Sequence, residues 1–143
     1  MNSETLKLKK QVKDFFKQHP EINCPAFPGE KVFFNSKGMS HLFYKDLKKT
    51  SSRNLKEVKT RVKLLPRAVK VLSLMPLIQE EREIERQKKI HYYYAFEAIV
   101  DGLRIKVIVK QVGNGQKHFW SVIPSWRRYQ SKIFNAKSKN LEK

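Results

Sequence analysis

Cysteine is almost absent from this sequence of 143 residues, which contains only Cys24. One cysteine cannot close a disulfide within the chain, and no set of Cys and His residues has the spacing of zinc ligands. The sequence therefore predicts no structural metal and no other cofactor, and it fits a reducing compartment. Since no basic residue stands beside Cys24 to activate its thiol, we expect a small buried or half-buried side chain.

Long apolar segments are also missing. No run approaches the roughly 20 apolar residues that a membrane-spanning helix needs, and the first residues, MNSETLKLKKQ, lack the apolar centre of a signal peptide. We therefore expect no membrane span and a cytoplasmic site of action, in the protein's own cell or in a target cell that receives it. No Walker loop, paired-carboxylate motif, Gly-x-Ser-x-Gly elbow or His-Glu-x-x-His helix occurs either.

Acidic residues are scarce. The chain has 13 Asp and Glu against 31 Lys and Arg, a formal net charge of +18, yet 40% of its residues are hydrophobic, which argues for a folded protein. Such an excess repels itself at low salt unless a polyanion binds, and nucleic acid is the commonest cellular polyanion. Between residues 37 and 70, eleven basic residues stand against two acidic ones. This one-sided segment indicates a phosphate-binding surface but neither base specificity nor catalysis.

The length fits a single domain, residues 1–143, whose core needs no disulfide. We divide it into an N-terminal helix with a proline-rich loop (1–30), a central core (31–124) and a basic C-terminal extension (125–143).

Helical spacing of apolar residues marks the first half of the chain. It predicts a helix over residues 3–18 and, because a proline interrupts the second pattern, two short helices or one kinked helix over 54–75. A proline at its first turn favours a polar helix over 76–90. We also expect a short strand over 31–34 and a final helix over 126–134.

Beyond residue 90 the hydrophobic period changes to two. The segments HYYYAFEAIV, LRIKVIVKQV and HFWSVIP, separated by the turns DG and GNG, predict a three-stranded antiparallel meander. Ile105 and Val107 then face the helices. Arg104, Lys106 and Lys110 share the opposite, open face, which is either a phosphate-binding surface or an ordinary solvated face. The predicted class is α+β, with N-terminal helices packed on a small C-terminal antiparallel sheet.

The last predicted strand leaves the position of Ser121 open. Strict alternation places it between Phe119 and Ile123, and if their face is the core, the serine is a packing residue. If a β-bulge shifts the alternation, Ser121 points to the other face and reaches a site there.

Aromatic side chains accompany the basic residues. Tyr93 is offset from the face of Tyr92 and Tyr94, and Trp120 lies in the last strand. Such rings stack the bases of single-stranded RNA, although aromatics at strand spacing more often belong to a core.

Histidine supplies the remaining chemistry. RNA cleavage without a metal needs a base, an acid and cations around the phosphate, and histidine is the simplest acid or base near neutral pH. His41, His91 and His118 are candidates, whereas His19 precedes a proline at a helix end, where capping accounts for it.

Four segments within residues 30–124 together resemble a known group of nucleases. They are KGMSHL, RVKLLPRAVKVL, YYAFEAIVDGLRIKVIVKQ and KHFWSVI. In order and pattern they resemble the phage- and mobile-element-associated nucleases of the barnase, EndoU, colicin and RelE-like (BECR) group. The resemblance implies helices before a small antiparallel sheet and RNA cleavage without a metal, often by toxins of phage or polymorphic systems.

The resemblance also implies roles for particular residues. His41 would act as acid or base. Lys45, with Arg53 or Arg61, would bind the phosphate. Ser121 occupies the late-strand position of the group's site, and His118 is an additional histidine whose place the resemblance does not define. The other residues that we expect to contact RNA are Lys48, Lys49, Arg104, Lys106, Lys110, Tyr93 and Trp120.

The expected function is that of a metal-independent endoribonuclease that acts on tRNA or mRNA through the RNA's own 2′-hydroxyl. If the protein is a toxin, an acidic immunity protein or antitoxin should cover the basic cleft; we expect a monomer. One alternative is a non-catalytic RNA-binding or ribosome-associated module. A weaker one is a DNA-binding protein of a mobile element that uses the helices over 54–75. Only the nuclease would cleave RNA in a way that depends on a histidine, so this property distinguishes it from the two alternatives.

Overall fold

The computed structural model describes residues 3–45, 52–125 and 139–140. Lys48, Lys49 and the helix expected over 126–134 lie outside these residues. The helices are α1 (Ser3–Gln18), α2 (Ser36–Phe43), α3 (Leu55–Lys63) and α4 (Leu65–Leu74). The strands are β1 (Glu21–Asn23), β2 (Lys31–Phe33), β3 (Glu80–Arg86), β4 (Lys89–Val100), β5 (Leu103–Val112), β6 (Lys117–Pro124) and β7 (Lys139–Asn140).

The predicted helices α1, α3 and α4 are confirmed, and the pattern over 54–75 is divided into two helices. Asn54 caps α3 by accepting a hydrogen bond from the Glu57 backbone N–H at 2.8 Å. Pro66 stands in the first turn of α4, where the missing N–H has no intrahelical partner to lose. The short strand β2 is confirmed as well.

Helix α2 was not predicted, and it holds the segment that contains His41. The Asn35 side chain caps it by accepting hydrogen bonds from the backbone N–H groups of Lys37 and Gly38. A β-carbon at Gly38 would overlap the carbonyl oxygen of Phe119 in β6. Glycine therefore allows α2 to approach the backbone of β6 closely, which brings His41 beside that strand.

The sheet is larger than predicted and mixed. The expected meander β4-β5-β6 forms its centre, in the strand order β1-β2-β6-β5-β4-β3, with β7 paired to β4. Strand β2 pairs in parallel with β6, where Val32 lies opposite Lys117. The α+β class is confirmed, but strands from the N-terminal part of the chain join the C-terminal antiparallel strands.

The helix predicted over 76–90 was wrong, because this segment contains strand β3. It pairs antiparallel with β4, and Gln87 and Lys88 close the hairpin with φ angles of 53° and 67°. From Glu81 to Arg86 the strand has a period of two, because glutamates alternate with Arg82, Ile84 and Arg86. Pairing with β4 outweighs the helix propensity of the Glu and Lys residues.

The core lies between the helices and one face of the sheet. Ile105, Val107 and Val109 of β5 are fully buried there, as are Phe96 and Phe119 of the neighbouring strands. Cys24 is buried as expected, and this burial raises the pKa of its thiol. The part of the chain that the structure describes contains no helix that is long and apolar enough to cross a membrane.

Candidate active site

A β-bulge in strand β6 places Ser121 on the face opposite the core. Phe119 pairs with Val109 and Ser121 pairs with Ile108, so Trp120 is an extra residue between two consecutive positions of β5. Phe119 therefore stays in the core while Ser121 shares the opposite face with the residues of β5 that point away from it. Strict alternation was wrong for this strand, and the bulged alternative describes it.

Arg61 of α3 binds this serine directly. Its Nη1 atom donates a hydrogen bond of 2.6 Å to Ser121 Oγ, although the two residues lie 60 positions apart in sequence. The Arg61 side chain is 12% exposed. Burial, together with the charge of Arg53, lowers the pKa of Arg61 to about 10, against the opposing effect of Glu57. The guanidinium is thus charged at neutral pH but poorly hydrated, which favours an anionic ligand.

Arg53 binds His41 in two ways. Its Nε atom donates a hydrogen bond of 2.8 Å to the His41 carbonyl oxygen, and its Nη2 atom lies 3.1 Å from His41 Nε2. Because a guanidinium only donates hydrogen bonds, Nε2 is the acceptor and the imidazole is neutral. Burial and then the charges of Arg53, Arg61 and Lys110 lower the pKa of His41 to about 3.

Glu57 joins the two arginines, a role that the sequence analysis missed. Its Oε1 atom accepts a hydrogen bond of 2.7 Å from Arg53 Nη1 and lies 3.8 Å from Arg61 Nε. Burial raises the pKa of this carboxyl, but the hydrogen bond from Arg53 and the charges of Arg61, Arg53 and Lys45 outweigh it, so the pKa is lowered. The spacing of four residues from Arg53 to Glu57 to Arg61 was a visible signal for this arrangement.

Aromatic rings and a buried lysine close the other side of the cluster. The His41 ring stacks on Trp120 with centroids 4.0 Å apart. Lys110 Nζ lies 4.1 Å from the centroid of Trp120 and 5.3 Å from that of Tyr93. Lys110 is only 4% exposed, and no carboxylate among the described residues pairs with it. Burial and the charges of Arg86 and Lys37 lower its pKa. A buried ammonium group without a paired anion is costly, and a bound phosphate would supply the negative charge.

His118 lies behind this layer. It is 3% exposed and pairs with Lys110 across β5 and β6. Its ring is nearly perpendicular to that of Trp120, with centroids 5.9 Å apart. Its Nε2 atom is buried without a hydrogen-bond partner in the described part of the chain. Burial lowers its pKa to about 4; a backbone hydrogen bond at Gln116 opposes this, and the charges of Lys37 and Lys110 add to it.

The structure brings together His41, Arg53, Arg61, Ser121, Trp120, Lys110 and Tyr93 from the predicted set. The exposed Lys45 stands near enough to affect Glu57. Two other residues that are predicted to contact RNA lie on the same sheet face and form ion pairs with acids. Arg104 Nη1 lies 3.5 Å from Glu97, and Lys106 Nζ lies 3.2 Å from Glu80.

The other two histidines lie apart from the hydrogen-bonded cluster. His19 stacks on Phe15 of α1, and its Nδ1 lies 3.2 Å from the carbonyl oxygen of that residue, as expected for a helix end. His91 lies opposite Ile84 of β3 and Val112 of β5. Neither ring has a hydrogen bond to the arginines or the serine within the described residues.

Within residues 3–45, 52–125 and 139–140, no group of three or more His, Cys, Asp and Glu side chains is arranged to hold a metal ion. Comparison of the chain with protein-family models, with curated proteins and with solved structures found no match. The chemistry of the cluster therefore has to be argued from its own geometry. Two arginines, a buried lysine, a hydroxyl and a neutral imidazole are the kinds of group that bind and stabilise a phosphodiester.

Proposed function

We propose that this protein is an endoribonuclease that cleaves RNA through the substrate's own 2′-hydroxyl. The observation that carries the proposal is the series of contacts from His41 through Arg53, Glu57 and Arg61 to Ser121. The link between Glu57 and Arg61 is an ion pair, and the other links are hydrogen bonds. Helix α2 contributes His41, helix α3 contributes Glu57 and Arg61, the residue before the cap of α3 is Arg53, and the bulged strand β6 contributes Ser121. Surface lysines alone would suffice for nonspecific binding, whereas this series positions an imidazole beside two phosphate-binding groups.

Binding of a phosphodiester would prepare the imidazole for its role. In the free protein the lone pair of His41 Nε2 is occupied by Arg53. A phosphate oxygen is a stronger acceptor for Arg53 than a neutral imidazole, so bound substrate releases Nε2. Burial and then the charges of Arg53, Arg61 and Lys110 lower the pKa of His41. The phosphate charge offsets the part that is due to these cations, so the imidazole becomes a better base.

The reaction follows from this placement. His41 Nε2 takes the proton of the 2′-hydroxyl, the 2′-oxygen forms a bond to phosphorus, and the bond to the 5′-oxygen breaks. The leaving 5′-oxygen takes a proton from water, and the hydroxide that remains takes the proton from His41, which restores the neutral imidazole. The products carry a 2′,3′-cyclic phosphate and a 5′-hydroxyl. Arg61, Lys110 and the Ser121 hydroxyl stabilise the charge that develops on the phosphoryl oxygens. Trp120 orients the imidazole, and His118 supports Trp120.

The proposed substrate is single-stranded RNA, such as an exposed loop of tRNA or a stretch of mRNA. Unstacked bases are accessible to rings such as Tyr93 and Trp120, and the 2′-hydroxyl distinguishes RNA from DNA. A toxin of this kind needs an inhibitor in the cell that makes it. We propose that such an inhibitor is acidic and covers Arg53, Arg61 and Lys110.

The test incubates purified protein with total RNA in EDTA, beside the variants His41→Gln and Ser121→Ala. His19→Gln is the matched control, because it makes the same substitution away from the cluster. We expect discrete fragments from the wild type and from His19→Gln, and a rate about 10²–10⁴-fold lower for His41→Gln. Circular dichroism confirms that each variant is folded. Undegraded RNA in every lane, together with tight and salt-sensitive binding, would contradict the proposal.

One observation favours a second candidate, a non-catalytic RNA-binding module. Free His41 has a pKa of about 3 and an occupied Nε2 atom, which suits a structural imidazole as well as a resting catalytic one. In that case the cluster would hold a phosphate without breaking a bond. His41→Gln would then bind RNA like the wild type, and neither protein would cleave it.

A further inference from the structure

Strand β3 has two faces that differ in charge. Arg82, Ile84 and Arg86 point to one side of the sheet together with one acid, Glu80, whereas the other side carries only glutamates, Glu81, Glu83 and Glu85. All seven residues of the strand are exposed, so burial in the core does not explain this segregation. A solvated hairpin needs no such division between its faces.

The basic face of β3 lies on the same side of the sheet as the candidate active site. Arg82 pairs with Tyr93 of β4, Tyr93 with Lys110 of β5, and Lys110 with His118 of β6. The row spans three strand spacings, about 14 Å. This length corresponds to about four nucleotides at the 3.4 Å rise of a stacked strand.

A groove of about 290 Å³ contains the first two residues of this row, Arg82 and Tyr93, and extends to Ile123 of β6. Its lining includes Arg82, Arg86, Tyr93 and Lys106, and Ile108 in its floor is the register partner of Ser121. The groove therefore begins next to the residues that are proposed to hold the reacting phosphate.

The charge in the groove is positive. Glu80 is its acid, and the same Oε1 atom of Glu80 lies 3.2 Å from Lys106 Nζ and 3.8 Å from Arg82 Nε. One carboxylate thus serves two cations. No carboxylate among the described residues pairs with Arg86, which stands near enough to Lys110 to affect its titration.

We propose that single-stranded RNA runs from the Arg53 and Arg61 cluster across Tyr93 onto the basic face of β3. The inference rests on the proposed function, because the path starts from a phosphate that is bound by Arg53 and Arg61. A base stacks on Tyr93, and the next phosphates bind Arg82 and Arg86. The glutamates on the other face of β3 repel a polyanion and so keep the RNA on the basic side of the β3-β4 hairpin.

The test uses RNA with 2′-O-methyl groups, which lacks the attacking hydroxyl and cannot be cleaved by this reaction. Fluorescence anisotropy measures the affinity of two probes, one of about three nucleotides and one of about ten, because only the longer one spans the row. The variant is Arg82→Ala combined with Arg86→Ala. The charge-matched control is Lys7→Ala combined with Lys17→Ala, which removes two exposed lysines of α1.

We expect the β3 variant to bind the long probe about tenfold or more weakly and the short probe within twofold of the wild type. The slope of log affinity against log salt should fall by about 1.4 for the long probe, since each lost contact to single-stranded RNA contributes about 0.7. An equal loss for both probes, an equal loss in the α1 control, or no loss would overturn the inference.

The outcome is independent of catalysis. If the wild type does not cleave RNA but the β3 variant shows the length-dependent loss, the path of the strand stands and the nuclease proposal fails. If the wild type cleaves RNA and the β3 variant binds the long probe normally, the nuclease stands and the path is wrong.

Discussion

The buried His118 and the half-buried His41 should make the stability of this protein depend strongly on pH. Burial and neighbouring cations lower the pKa of His41 to about 3 and that of His118 to about 4, whereas both groups titrate near 6.5 in an unfolded chain. Between these values the unfolded state binds more protons than the folded state. The stabilisation is therefore complete above pH 6.5 and is lost progressively as the pH falls towards the folded-state values.

The expected size follows from these pKa values. One pKa unit corresponds to about 1.4 kcal/mol, so lowering the pH from 7.5 to 5 costs about 2 kcal/mol of unfolding free energy for each histidine. Together His41 and His118 account for about 4 kcal/mol. The pKa of His91 is also lowered, so His91 adds to the loss of unfolding free energy as the pH falls. Ordinary carboxyl groups stay ionised above pH 5, so this range reports mainly on the histidines.

Urea unfolding followed by circular dichroism at pH 7.5, 6.5, 5.5 and 5 measures this dependence. His41→Gln and His118→Gln should each remove about half of the loss seen in the wild type. A loss below about 1 kcal/mol in the wild type, or a loss in both variants as large as that of the wild type, would refute the reasoning. Nuclear magnetic resonance of His41 in the presence of uncleavable RNA extends the test, because a bound phosphate should raise its pKa.

Three further substitutions test particular contacts. Gly38→Ala should destabilise the fold by about 1–3 kcal/mol in urea unfolding, although this change usually stabilises a helix, because the new methyl group meets the Phe119 carbonyl; a more stable variant would contradict the close approach of α2. Lys110→Met should raise the unfolding free energy by about 1 kcal/mol and weaken RNA binding, because it removes a buried cation; unchanged affinity would exclude this lysine from the interface. Glu57→Gln should slow cleavage yet bind RNA more tightly at low salt, because it releases the arginines but adds net positive charge; a parallel loss of rate and affinity would argue against this division of roles.

Elements with long periodic patterns could be predicted from the sequence. Helices α1, α3 and α4 and the meander β4-β5-β6 each repeat an apolar period often enough to identify the type of structure. Helix α2 has only eight residues, and its position depends on the contact of Gly38 with a distant strand. Strand β3 is rich in Glu and Arg, which favour helices in isolation, and pairing with β4 decides its conformation.

The candidate site was predictable in its residue types and less so in its geometry. His41, Arg61 and Ser121 were named from a resemblance, but the contact between Arg61 and Ser121 depends on the bulge at Trp120. A single inserted residue exchanges the two faces of the strand beyond it, and the residues around Trp120 do not indicate where the bulge occurs. Glu57 was overlooked because it was counted only as one acid within a basic segment.

The most direct test of the central claim is the chemistry of the cleaved ends. A synthetic single-stranded RNA that the protein cuts would be compared with the same RNA carrying one 2′-deoxynucleotide at the cleavage position, with mass spectrometry of the products. Attack by the 2′-hydroxyl predicts a 2′,3′-cyclic phosphate on one fragment, a 5′-hydroxyl on the other, and no cleavage of the substituted RNA. Cleavage of the substituted RNA, or a 5′-phosphate on the product, would contradict the mechanism proposed for His41, Arg53, Arg61 and Ser121.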